Sequence, residues 1–128
     1  MREQKAPLIQ TVGLKKYFHT SRGMLHAVDG IDLSIAEGET LGVVGESGCG
    51  KSTLGRTILR LLPITSGDDL YEGKSIVGLR ASEMRKMRSK MQIIFQDPYS
   101  SLDPRMMVSE LIAEYMIVNR VYRTRAEI

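Results

Sequence analysis

The chain has 128 residues, 42% apolar and 26% charged, a composition that fits one folded domain and argues against disorder. Its net charge of +3 permits an anionic partner without demanding one, and its single cysteine excludes an internal disulfide framework. No apolar run approaches the roughly 18–20 residues that span a bilayer, and the N-terminus lacks a secretory h-region, so a soluble, cytoplasmic chain is expected.

Leu8 to Leu14 reads as a strand, followed by a polar stretch that embeds Tyr17 and Phe18 and ends in a Ser-Arg-Gly turn. Met24 to Val28 predicts a second strand and Asp29-Gly30 a hairpin turn. Ile31, Leu33 and Ile35 then alternate with polar residues, as in a half-buried strand. Thr40 to Val44 (TLGVV) does not alternate, which predicts a strand buried on both faces of a parallel sheet. A glycine-rich loop leads into a helix from about Lys51 to Leu62, ended by Pro63 and Ser66-Gly67. Leu70 to Ile76 predicts a hairpin around Glu72-Gly73, Ser82 to Ser89 a basic helix, and Met91 to Phe95 (MQIIF) another buried strand. The irregular QDPYSSLDPRM precedes a helix from about Val108 to Val118. Thr124 and Glu127 have capping-box spacing, the sign of a helix start; a disordered tail with chance spacing is the equal alternative.

The loop GESGCGKST carries the clearest chemistry. Gly45, Gly50, Lys51 and Ser52 fit G-x-x-x-x-G-K-[ST], with a further glycine at Gly48. Glycines let the backbone approach a ligand closely, so that the N–H groups along Gly45, Glu46, Ser47, Gly48, Cys49 and Gly50 form a nest for an anion. The helix starting near Lys51 adds the positive end of its dipole. Lys51 is expected to reach the β- and γ-phosphates, Ser52 to ligate Mg²⁺, and Thr53 to assist through its hydroxyl or backbone N–H. A buried-type strand before the loop and a helix after it supply the context this motif needs. A glycine-rich connection that binds nothing is the plain alternative. For Cys49 two readings stand: a reactive thiol beside Lys51, or a filler of a slot for small residues.

Three stretches narrow the reading. FQDPYSSLDPRM (Phe95 to Met106) resembles the Q-loop of ATP-binding-cassette (ABC) ATPases, in the form found in oligopeptide and dipeptide importers. AVDGIDLSIAEGETLGVVGESGCGKSTLGRTILRL (Ala27 to Leu61) resembles the same family almost throughout, and GLKKYF (Gly13 to Phe18) sits where that family carries an adenine-stacking aromatic. The resemblance runs over residues 8–128. It implies an α/β P-loop NTPase fold, an incomplete ABC nucleotide-binding domain over residues 1–128. Its parts would be an antiparallel β subdomain, the start of a parallel core and, from about 97–128, the start of a helical subdomain that is cut off. Gly45 to Thr53 would be the Walker A loop. Gln96 would approach Mg²⁺ together with Ser52 and sense the γ-phosphate and the attacking water. Phe18 would stack on adenine, with Tyr17 as the alternative. ATP and Mg²⁺ are the implied cofactors. A second ATPase subunit and transmembrane permease subunits are the implied partners, with a peripheral place on the cytoplasmic face of the inner membrane.

The chain also departs from that family. An apolar residue usually stands where this chain has Asp69, so the segment Asp68–Tyr71 is expected to be loose, with Asp68 a solvated turn acid. The signature motif, the Walker B Asp and the catalytic Glu are absent, and His19 and His26, which precede the loop, read as surface or packing residues. The basic stretch Arg80 to Lys90 has no interleaved aromatic and reads as a connecting helix rather than a nucleic-acid site. The resulting expectation is an ATP-binding fragment of a peptide-uptake transporter, marginally stable and without appreciable hydrolysis alone. A non-hydrolysing regulatory module, or the inactive product of an interrupted gene, is the alternative. The Q-loop stretch argues against a small P-loop kinase.

Overall fold

Two long strands, β1 (Ile9–Thr20) and β2 (Gly23–Ile35), meet at the turn Ser21-Arg22 and form the spine of an antiparallel sheet. The computed structural model describes residues 6–121. On the other edge of β1 lies β3 (Ser66–Tyr71), which pairs with the short β4 (Lys74–Ser75), giving the order β2-β1-β3-β4. Helix α1 (Lys51–Ile58) lies against β1 and β2, and α2 (Ala81–Arg88) follows β4. These elements form one compact unit ending at Arg88; a second begins at Ser89 and contains the 3-10 turn Tyr99–Ser101 and α3 (Val108–Val118). In the first unit Leu14, Val28, Ile76 and Met84 are buried.

Several boundaries differ from those the sequence predicts, each for a physical reason. The expected turn at Asp29-Gly30 is a bulge. Leu14 faces Ile31 and Lys15 faces Asp29, so Gly30, with φ 72, is the extra residue, and β2 runs on through it. β1 likewise continues past Leu14 because β2 offers partners to Tyr17 and Phe18. Helix α1 stops at Ile58. Arg60 takes φ 51, and Leu61 N–H donates to the Arg56 carbonyl at 2.9 Å, which closes the helix earlier than its apolar spacing suggests.

The segment expected to be loose is ordered. β3 starts at Ser66, so Asp68 and Asp69 are strand residues; Asp69 is buried, and half-buried Asp68 accepts the Ser75 hydroxyl at 2.6 Å. The hairpin at Glu72-Gly73 forms as expected, with φ 49 and 77 at its two turn residues.

The stretches TLGVV and MQIIF, expected as buried strands, pair with no strand among the described residues. Val44 is 95% exposed and Ile94 94% exposed. A strand buried on both faces needs neighbours in its sheet and layers over it. The described sheet consists of antiparallel strands alone and includes neither segment. In the second unit, two Asp-Pro pairs organise the irregular stretch. Asp97 Oδ1 accepts Tyr99 N–H at 3.1 Å, and Asp103 Oδ1 accepts Arg105 N–H at 2.9 Å. Arg105 also holds the Asp103 carboxyl below the usual carboxylate range. The capping-box pattern at Thr124 and Glu127 lies outside the described residues. At α3 it is Glu110 that reaches back, accepting the Met107 N–H at 3.0 Å.

Candidate functional site

The glycine-rich loop closes on its own lysine. Lys51 Nζ donates to the carbonyl oxygens of Gly45 at 2.6 Å and Glu46 at 2.7 Å, and lies 3.6 Å from Cys49 Sγ. Within the loop Cys49 N–H donates to Glu46 O at 3.2 Å. The first bond of α1 runs from Leu54 N–H to Gly50 O at 2.8 Å, so the N–H groups of Lys51, Ser52 and Thr53 lie ahead of it in the first turn. No side chain caps that end of the helix. A positive helix end without a cap, beside a lysine ammonium, is an arrangement suited to a multiply charged anion.

Gly50 cannot be replaced without moving the backbone. Its φ is 102, and a Cβ there would lie 2.3 Å from the Ala27 carbonyl oxygen. Ala27 is the residue skipped in the strand register, since Lys16 faces Val28 and Tyr17 faces His26. A bulge in β2 thus meets the loop where α1 begins, a contact that no motif predicts. Ser52 is exposed and its hydroxyl has no hydrogen-bond partner among the described residues, while Thr53 is half-buried and its carbonyl accepts the Thr57 hydroxyl at 2.6 Å.

The two candidate aromatics are in different situations. Tyr17 stacks on His26, with ring centroids 3.9 Å apart and planes 8° from parallel, and its hydroxyl donates to Asp29. Its backbone N–H is taken by the Thr65 hydroxyl at 2.8 Å. The bond to Asp29 raises the Tyr17 hydroxyl above its ordinary range and, assisted by Lys15 and His26, lowers the Asp29 carboxyl. Phe18 is half-buried, and the ammonium of Lys16 sits 4.8 Å from its ring centre. Sequence reasoning left His26 and Asp29 out of this cluster. The only signal for them is cross-strand register, which the bulge at Ala27 obscures. Gln96 is exposed and belongs to the second unit, whereas the loop and both aromatics belong to the first.

Among the described residues no three His, Cys, Asp or Glu side chains gather into a metal site, and no helix is long and apolar enough to cross a membrane.

A glycine loop closed by its lysine, set at the uncapped start of a helix beside a sheet, is the architecture of the phosphate-loop proteins. The chain belongs to the ABC transporter family, whose model matches residues 28–127. It is 46% identical over 121 residues to the oligopeptide transport ATP-binding protein OppF of Bacillus subtilis, covering 94% of this chain and 40% of that protein. To OppF of Salmonella typhimurium it is 48% identical over 121 residues, covering 88% of this chain and 36% of the relative. The chain therefore spans well under half the length of these relatives. Among solved structures it resembles a dimeric post-hydrolysis state of the ATP-binding cassette MJ0796 bound to ADP and Pi. The TM-score is 0.79 at 25% identity, over 93% of this chain and 51% of that one.

Proposed function

We propose that this chain is the ATP-binding portion of an ABC importer for peptides, and that Gly45 to Thr53 hold the nucleotide's phosphates. The observation that carries the reading is the Lys51 ammonium, held at 2.6 and 2.7 Å by carbonyls of its own loop at the uncapped start of α1. An entering polyphosphate would take over that ammonium and the N–H groups of the first helical turn. The Ser52 hydroxyl fits Mg²⁺ as one of very few protein ligands, because this ion keeps several waters and binds mainly through phosphate oxygens. When bound, Mg²⁺ would neutralise charge between the β- and γ-phosphates; Gln96 is the further residue assigned to it by likeness to the family. Phe18 is the preferred adenine-stacking residue. Residues 1–128 form part of one nucleotide-binding domain, with its helical subdomain beginning near residue 97. Peptide as the cargo rests on the names of the relatives, as do a second ATPase subunit and permease partners at the cytoplasmic face of a membrane. Hydrolysis coupled to uptake is proposed for the whole protein.

Titration of the 128-residue chain with a fluorescent ATP analogue, with and without Mg²⁺, tests the core of this reading. Lys51→Ala is expected to abolish saturable binding while leaving the circular dichroism spectrum unchanged. Undiminished affinity in that variant would refute the assignment.

A further inference from the structure

Asp69 is 0% exposed, and neither of its carboxylate oxygens has a hydrogen-bond partner. A carboxylate taken out of water in this way is costly unless it is paired or neutral. The donors on the elements around it are committed elsewhere. Thr11, its partner on β1, donates its hydroxyl to Ile31 O at 2.9 Å and accepts Leu33 N–H at 3.2 Å. Ser75 of β4 donates to Asp68 at 2.6 Å, and Asp69's own backbone N–H also turns to Asp68, at 2.9 Å. Arg60, the cation that acts on Asp69 from beyond the end of α1, spends Nη1 on the carbonyls of Ile76 at 2.6 Å and Leu79 at 3.3 Å. From α2, Arg88 reaches the Arg60 carbonyl at 3.4 Å, and Lys15, farther along β1, faces Asp29 at 4.0 Å. Asp68, beside it on the strand, adds negative charge.

We propose that the unit ending at Arg88 folds with a proton held on Asp69, and that this buried acid makes the sheet firmer as the solution is acidified. The packing accepts the neutral acid and penalises the anion, because no donor reaches either carboxyl oxygen. The pKa agrees: burial first, and Asp68 second, raise the carboxyl from 3.8 to about 7, against the opposing pull of Arg60. A raised pKa in an acid means that the folded chain keeps a proton the unfolded chain has released. The stabilisation is complete below about pH 3.8, is lost as pH rises towards about 7, and is absent above that. The effect bears on β1, the strand that also carries Tyr17 and Phe18 and to which β3 is paired.

Urea unfolding of the 128-residue chain, followed by circular dichroism from about pH 5 to about pH 8, tests the proposal. The folding equilibrium constant is expected to fall with pH by up to about tenfold per unit. Asp69→Leu should lose that Asp69-dependent slope and be the more stable chain at the alkaline end, while Asp68→Asn should keep the slope. An Asp69→Leu chain with the wild-type slope would overturn the proposal, and so would a slope lost instead in Asp68→Asn. If Asp69→Leu does not fold, the carboxyl-carbon resonance of Asp69 in the native chain decides. Titration near neutrality supports the proton, and titration in the ordinary aspartate range refutes it.

Discussion

Adjacent Tyr17 and Phe18 show how one residue's step along a strand separates two roles. Tyr17 has one ring face against His26 and its hydroxyl on Asp29, so its polar and aromatic capacities serve the sheet. Phe18 carries no such tether beyond the Lys16 ammonium near its ring. Phe18→Ala is therefore expected to weaken ATP binding about 5- to 150-fold, the range set by stacking worth roughly 1–3 kcal/mol. Binding of inorganic tripolyphosphate should not change, and Tyr17→Ala should have the smaller effect; calorimetric titration of both ligands separates these outcomes, and the reverse ranking would transfer the stack to Tyr17. A second expectation concerns Asp29, whose carboxyl is held low first by the Tyr17 hydroxyl. Tyr17→Phe should move that carboxyl's midpoint upward in an NMR titration, and an unmoved midpoint would show that the bond does not form in solution. Spacing from Leu14 in GLKKYF favours Phe18, but it does not show that Tyr17 is held by His26 and Asp29. The placement of Tyr17 against His26 depends on a bulge at Ala27, and bulges come from pairing between strands rather than from residue alternation.

At the scale of elements, the start of α1 after the glycine-rich loop is where the sequence places it, whereas the strand expected before the loop does not form among the described residues. Glycine spacing, lysine and serine specify a local backbone shape that needs few distant partners. TLGVV and MQIIF are different, because an apolar run states a preference for burial but cannot supply the neighbours that bury it. Helix α3, by contrast, has the expected limits, with Glu110 capping its start and Asn119 beyond its end. The hairpin at Glu72-Gly73 was legible because its turn residues act locally, whereas Asp69 misled because its strand carries a buried acid where the resembled family usually has an apolar residue. The loop's dependence on β2 gives a sharp prediction. Gly50→Ala would press a Cβ to 2.3 Å from Ala27 O at φ 102, so the backbone must move. A destabilisation of roughly 1–3 kcal/mol from the strained conformation, with loss of nucleotide binding, is expected from denaturant titration and fluorescence. Wild-type binding by Gly50→Ala would mean that the loop and β2 do not meet as described.

For the whole molecule, the balance between exposed and covered apolar surface decides solution behaviour. Leu41, Val43 and Val44 lie exposed in one unpaired segment, and Ile94 and Phe95 in another. Unpaired backbone next to apolar side chains is a template for association. The 128-residue chain is therefore expected to self-associate with rising concentration in sedimentation velocity, and Ile94→Lys to reduce that association. Because ATP binds only the folded form in this reading, saturating nucleotide should act against unfolding: at about 100 times Kd the gain is about 2.7 kcal/mol. Thermal unfolding with and without Mg-ATP should thus show an upward shift in wild type and in Ile94→Lys, but not in Lys51→Ala. These variants separate two properties that the wild-type chain mixes. A chain that stays monomeric at every concentration would remove the association argument and leave the phosphate site untouched. A thermal shift that survives Lys51→Ala would do the opposite.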